Sequence, residues 1–291
     1  MRIAIRHETT YRYGEPVRSA VQLLRLTPRS SEIQFVRQWR VTIDADARLD
    51  RGEDAYGNIT HLVFVDGPLD VLGILVEGEV EMSDANGFVH GSVERQPARL
   101  FLRETPLTLA TPAIRTLARE ALAGEGGDVL AGLHRINSML NSSLTFQVGA
   151  TTATTTAGEA LAAGVGVCQD FAHIFIAAAR SLGVPARYVS GYYLRSDSVT
   201  QDAGHAWAEA FLPALGWIAF DPAQGHCATD RHVRIAIGSD GNEAAPIRGA
   251  RTGGKDEALS VVLTVAPGRA VSDGAGRQRQ WQGPNRQWQQ Q

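Results

Sequence analysis

The stretch AGVGVCQDFAHIF, residues 163–175, places Gly164 and Gly166 ahead of Cys168, then Gln169 and Asp170, then an apolar face of helical period. Its meaning turns on why one of only two cysteines stands where a helix begins. A lone cysteine is most often a small buried filler. A helix N-terminus is also where free N–H groups and the macrodipole favour an anion, which suits a thiolate nucleophile and an oxyanion beside it. The two glycines would let a substrate backbone approach closely. Taken alone, Cys168 reads as structural, and a catalytic role needs a base and a group to orient that base.

The best base is His205, which opens HAWAEAFL (205–212). Strand alternation puts His205, Trp207, Glu209 and Phe211 on one face. A return strand, GWIAFD (216–221), ends in Asp221 before Pro222, and a residue before proline is held extended. If Leu212 pairs with Gly216 around Pro213–Leu215, Asp221 falls opposite Trp207 and diagonal to His205, about 7–8 Å away at Cα on the same face. A loop of two or four residues would send Asp221 to the other face. A cysteine, a histidine and an aspartate then form a nucleophile, a base and its orienter. The N–H of Cys168 is the first oxyanion donor, and Gln169 is a second candidate. Trp207 is expected to pack under the His–Asp pair, and Asp170 and His173 to be structural.

Other chemistries fit less well. His226, Cys227 and His232 lack the paired spacing of a zinc site, so no metal is expected. GVGVCQ lacks the third glycine and the strand context of a dinucleotide loop, so no cofactor is expected. Ser190 has no nucleophile-elbow pattern around it.

Four ordered blocks, DAYGN (54–58), GVCQDFAH (166–173), GVPARYVSGYY (183–193) and HAWAEAFLPALGWIAFDP (205–222), resemble the bacterial transglutaminase-like family of cysteine-protease type. The likeness spans most of the chain and includes the family's β-rich N-terminal domain. It implies a papain-related core with a Cys-His-Asp triad on Cys168, His205 and Asp221. Two departures stand out: Val148 replaces a tyrosine expected in TFQVG, and GSDG (238–241) stands where the family has a block like GRDY.

The rest of the chain is consistent with an α+β fold. MRIAIRHETTYRY, IQFVRQWRVTI and LDVLGILVEGEVEM alternate with period two, as in antiparallel sheet with one wet face. They predict a set of short strands in a small sandwich or barrel over 1–97. In the second strand Ile33, Phe35, Trp39, Val41 and Ile43 are expected to face one way. Helices follow: one with Thr111 as N-cap and Pro112 at its first position, one capped by Asp128, a short one near AGEALAAG, and the one opened by Cys168 with Ala172, Phe175, Ile176 and Ala179 inward. Strands then return, so helices packed on an antiparallel sheet are expected over 98–255. SVVLTV, within a late strand over 256–267, should pack back on a sheet. The Gln/Arg/Gly-rich tail, 268–291, reads as disordered.

A formal charge of −3 at neutral pH gives no electrostatic reason to expect nucleic acid or an anionic membrane as partner. Two cysteines make no disulfide scaffold, and no apolar run suits a signal peptide or membrane helix, so a cytoplasmic protein is expected. The expected partner is a peptide or protein substrate, and the oligomeric state stays unassigned. The expected chemistry is thiol acyl transfer on amide or peptide bonds, with hydrolysis favoured because an amine acceptor needs a dedicated site. Transfer to an amine is the alternative, and a non-catalytic peptide-binding module is the alternative of another class.

Overall fold

The apolar alternation of the first third of the chain builds one antiparallel sheet. In the computed structural model, which describes residues 1–268, its first strands are β1 (Arg2–Thr27), β2 (Gln34–Asp44), β3 (Ala47–Glu53) and β4 (Ile59–Met82). β1 and β4 are 26 and 24 residues long and pair with each other along most of that length. Two long bent strands therefore replace some of the expected short ones. Register slips between Arg12 and Val17, and again between Val17 and Ser19, bend the ladder without ending it. The bend also switches the inward phase: Ile3, Ile5, His7 and Thr9 are buried before it, and Ala20, Gln22, Leu24 and Leu26 after it.

A slip between Val36 and Gln38 does the same to β2. Phe35, expected inside with Trp39, is 58% exposed, while Gln34 is buried in its place. Trp39 lies over Gly78, where an added Cβ would come within 2.1 Å of the indole. That close approach needs glycine.

The second unit contains α1 (Pro112–Gly124), α2 (Val129–Ser143), β5 (Thr145–Phe146), α3 (Ala157–Ala163), β6 (Val165–Gly166), α4 (Cys168–Ser181), β7 (Ala186–Tyr193), β8 (Thr200–Gln201), β9 (His205–Leu212), β10 (Gly216–Asp221), β11 (His226–Cys227) and β12 (His232–Gly238). The capping residues are those legible from sequence: the Thr111 hydroxyl accepts from Ile114 N–H, and the Asp128 carboxylate from Ala131 N–H. A five-stranded antiparallel sheet runs in the order β11-β10-β9-β7-β12. α4 packs on β7 and β9, with α1, α2 and α3 against its other sides. It is consequently buried all round from Asp170 to Arg180, not along one stripe.

The two units are interleaved. β13 (Ile247–Gly253) and β14 (Glu257–Pro267) return to the first sheet, and β14 pairs with β1 from Ile3↔Pro267 to Tyr13↔Glu257. β8, from the second unit, extends the same sheet beyond β14. Ile3, Ile5, Val80, Leu263 and Val265 share a core with Tyr192, Val233 and Ile235. The DAYGN turn docks on β12: Asn58 donates from Nδ2 to Ile237 O and accepts from Ile237 N–H at Oδ1, each at 2.8 Å. The tail assigned to 268–291 lies, from residue 269 onward, outside the described residues. Among the described residues, no helix is long and apolar enough to cross a membrane.

Candidate active site

Four strand ends meet at one end of the five-stranded sheet. Tyr193 ends β7, His205 opens β9, Asp221 ends β10 and His232 opens β12. The β9–β10 hairpin pairs Leu212 with Gly216 and Phe220 with Ala208, which is the three-residue-loop register. Asp221 therefore returns beside His205, and its Oδ2 lies 2.6 Å from His205 Nε2.

Asp221 is fully buried, and four donors hold it. Oδ1 accepts from the backbone N–H groups of Ala223 and Gln224, at 3.1 and 3.2 Å. Oδ2 accepts from His205 and, at 3.0 Å, from His232 Nε2. Burial alone would raise the Asp221 pKa, but the charge and hydrogen bonds of His205, with those of His232, hold it well below the ordinary carboxylate range. An ionised carboxylate only accepts, so both imidazoles present a protonated Nε2 to it.

With Nε2 engaged, Nδ1 is the His205 nitrogen left for Cys168. Burial opposes the imidazolium, yet the charge and hydrogen bond of Asp221, followed by the interaction with Cys168, push the His205 pKa up to about 10. Cys168 is the first residue of α4 and is partly buried against the helical core. The N–H groups of Cys168 and Gln169 belong to the first turn, which has no intrahelical acceptor.

The approach to Cys168 is fixed from behind. Asp170 Oδ2 accepts from Val167 N–H at 2.8 Å and from the Thr151 hydroxyl at 2.6 Å. Asp170 thus caps its own helix and ties down the threonine-rich loop, with one oxygen left unpartnered among the described residues. His173 is buried and accepts from Gly241 N–H at 2.9 Å, and burial depresses its pKa to about 4. Gln169 lies beside Gly241, where a Cβ would stand 3.2 Å from its Oε1. The GSDG departure thus borders the first turn of α4.

Trp207 packs below the histidines, 6.1 Å from the His205 ring and 5.3 Å from that of His232. Glu209, further along the same strand, is buried between Arg187 and Arg234. His205, Asp221 and His232 have ligand-type atoms within 4.8 Å of one another. Their contacts to one shared oxygen, 2.6 and 3.0 Å, are hydrogen-bond separations. Two ligands of a tetrahedral ion with bonds near 2.1 Å stand about 3.4 Å apart.

His232, Tyr188 and Tyr193, whose ring lies 5.2 Å from that of His205, were not singled out from sequence for this site. His232 was weighed only as a metal ligand, since nothing local ties β12 to the end of β10. Tyr188 faces His173 with ring centroids 5.1 Å apart. Burial, then the charges of Cys168, Asp170 and Asp240, push its phenol well above the ordinary value.

Comparison with known proteins places the chain in a family. Residues 115–222 match the core of the transglutaminase-like superfamily, and residues 3–81 match the bacterial transglutaminase-like N-terminal region. An uncharacterized protein of Mycobacterium tuberculosis is 31% identical, the alignment covering 91% of this chain and 93% of the relative. An uncharacterized protein of Mycobacterium leprae is 26% identical over 91% of this chain and 98% of its own. A crystal structure from Cytophaga hutchinsonii, described as "a Putative Cysteine Protease", superposes with a TM-score of 0.71 at 19% identity, covering 97% of this chain and 94% of that one. The chain belongs to the bacterial transglutaminase-like family.

Proposed function

We propose that the protein is a thiol acyl-transfer enzyme acting on amide or peptide bonds, with Cys168 as nucleophile, His205 as base and Asp221 as its orienter. One arrangement carries this reading: a buried aspartate with four donors holds Nε2 of His205. That leaves Nδ1 for a cysteine at the first position of a helix.

Once His205 has taken the thiol proton it stands as the imidazolium that its raised pKa favours, and the paired sulfur attacks the carbonyl carbon to form a tetrahedral adduct. The N–H groups of Cys168 and Gln169 stabilise its oxyanion. The C–N bond then breaks, and His205 returns the proton to the leaving amine. Water, deprotonated by His205, attacks the thioester, and the carboxylic acid and free thiol are regenerated. Asp221 keeps the ring in one orientation and stabilises its cation throughout. Hydrolysis is favoured over transfer to an amine, because water needs no acceptor site.

Labelling with iodoacetamide near neutral pH, read by peptide mass spectrometry, tests the nucleophile. Cys168 should label at least about tenfold faster in the intact protein than in His205→Ala, and equal rates would sink the reading. Denatured casein with added monodansylcadaverine separates the outcomes: hydrolysis yields new peptide termini, and transfer yields dansylated casein.

A further inference from the structure

His232 is a buried titratable side chain at the catalytic end of the sheet that the mechanism does not use. It is 3% exposed, and both ring nitrogens are committed. Thr229 N–H donates to Nδ1 at 3.0 Å, so Nδ1 acts as an acceptor and carries no proton. The ring proton therefore sits on Nε2 and is donated to Asp221 Oδ2 at 3.0 Å. Only a neutral ring of this one tautomer satisfies both contacts. A second proton would face the Thr229 N–H at 3.0 Å, with the more distant Thr229 hydroxyl, at 3.4 Å, left to accept it.

Neighbouring rings keep His232 in place. Tyr193 lies 4.6 Å away between centroids, Trp207 meets it edge-on at 5.3 Å, and His226 does so at 5.9 Å. The titratable groups facing it are Asp221 from β10, His205 from β9, His226 from β11 and Tyr193 from β7. Those facing His205 are Asp221, His232, Tyr193 and, from α4, Cys168. Burial lowers the proton affinity of His232 more than the adjacent Asp221 raises it.

We propose that His232 is a positioning residue of this site: a neutral donor that fixes Asp221 Oδ2 and takes a share of its charge. It thereby orients His205 toward Cys168 and keeps His205 from becoming a still stronger base. Its catalytic meaning rests on the thiol acyl-transfer reading, whereas its hold on the Asp221–His205 pair does not. A carboxylate with one donor fewer attracts the His205 proton more strongly, so loss of His232 should move the His205 titration to higher pH. It also frees Oδ2 to turn, which misaligns the base.

His232→Phe removes the donor and keeps a ring, while His232→Gln returns both an N–H donor and an acceptor. In the full chain, NMR titration of the His205 ring should show an upward-shifted midpoint in His232→Phe. The rate of casein hydrolysis should fall about 10- to 100-fold, mainly in kcat and little in KM. His232→Gln should restore both toward wild type. An unmoved His205 midpoint in folded His232→Phe overturns the proposal, as does His232→Gln matching His232→Phe. Where His232→Phe does not fold, long-range 1H–15N spectra of the unaltered protein decide. His232 must appear as the neutral Nε2–H tautomer, and an Nδ1–H or charged ring overturns the proposal. The His205 midpoint is read without turnover, so an unreactive Cys168 would sink the enzyme reading while this coupling is still decided on its own.

Discussion

Leu212 pairs with Gly216 across a three-residue turn, and that register alone returns Asp221 to the side of the sheet that carries His205. The pair depends on both the charge of Asp221 and the count of residues in the turn.

Asp221→Asn should lower kcat by about 10^2- to 10^4-fold, because an amide in that place no longer enforces one imidazole tautomer. Asp221→Ala should lose turnover and also stability. It strips an acceptor from two rings and two backbone N–H groups in a fully buried spot, where each orphaned donor costs about 1–3 kcal/mol. Steady-state kinetics and urea denaturation of the two variants separate these effects. Equal stability of Asp221→Ala and the unaltered protein would count against the four-donor cage.

His205 should make stability fall on the alkaline side. Its pKa is raised from 6.5 unfolded to about 10 folded, so its contribution is fully present below about 6.5 and is lost as pH rises through about 10. Across that window the folded chain holds one more proton at this ring, and the slope approaches about 1.4 kcal/mol per pH unit at most. Denaturant unfolding from pH 6.5 to 10 should show the fall, and His205→Gln should flatten it.

The acid side carries the opposite sign. Burial lowers His7 and His173 from 6.5 to about 4. Neither contributes above about pH 6.5; below it the unfolded chain takes up protons that the folded chain refuses, so stability falls until about pH 4. His173→Gln keeps an acceptor for Gly241 N–H and should reduce the steepness of this limb. An unchanged limb would show that His173 is not neutral in the fold.

Arg180 is buried and donates to the carbonyls of Phe101, Ala186 and Ser239 and to the Thr108 hydroxyl. Burial pushes its pKa down to about 10. Arg180→Met should destabilise by about 3–5 kcal/mol, since it leaves buried carbonyls without donors. Thermal unfolding measures this, with Arg119→Met on an exposed helix face as the control.

The places of Cys168, His205 and Asp221 in the fold were legible because their geometry is local: a helix start, a strand start, and a hairpin whose turn length can be counted. Helix caps at Thr111 and Asp128 were legible for the same reason. Phe35 was misplaced because a single register slip inverts an alternation, and slips leave little trace in residue type. His232 was weighed only as a metal ligand because its bond to Asp221 depends on strand order, with β12 lying beyond β7 at the far edge. The all-round burial of α4 is also a property of what surrounds the helix. Its own residues, with Asp170, His173 and Arg180 among them, look half exposed in isolation.

The pairing of β14 with β1 has a consequence for the order of events on the ribosome. β1 is made long before the strand it pairs with, which ends at Pro267. Until that neighbour leaves the exit tunnel, β1 has a bare edge and Ile3 and Ile5 lack the cover of Leu263 and Val265. The first sheet is therefore completed only after α4 and the five-stranded sheet have been made. A stop codon between β13 and β14 would leave an adhesive strand edge beside an otherwise complete five-stranded sheet.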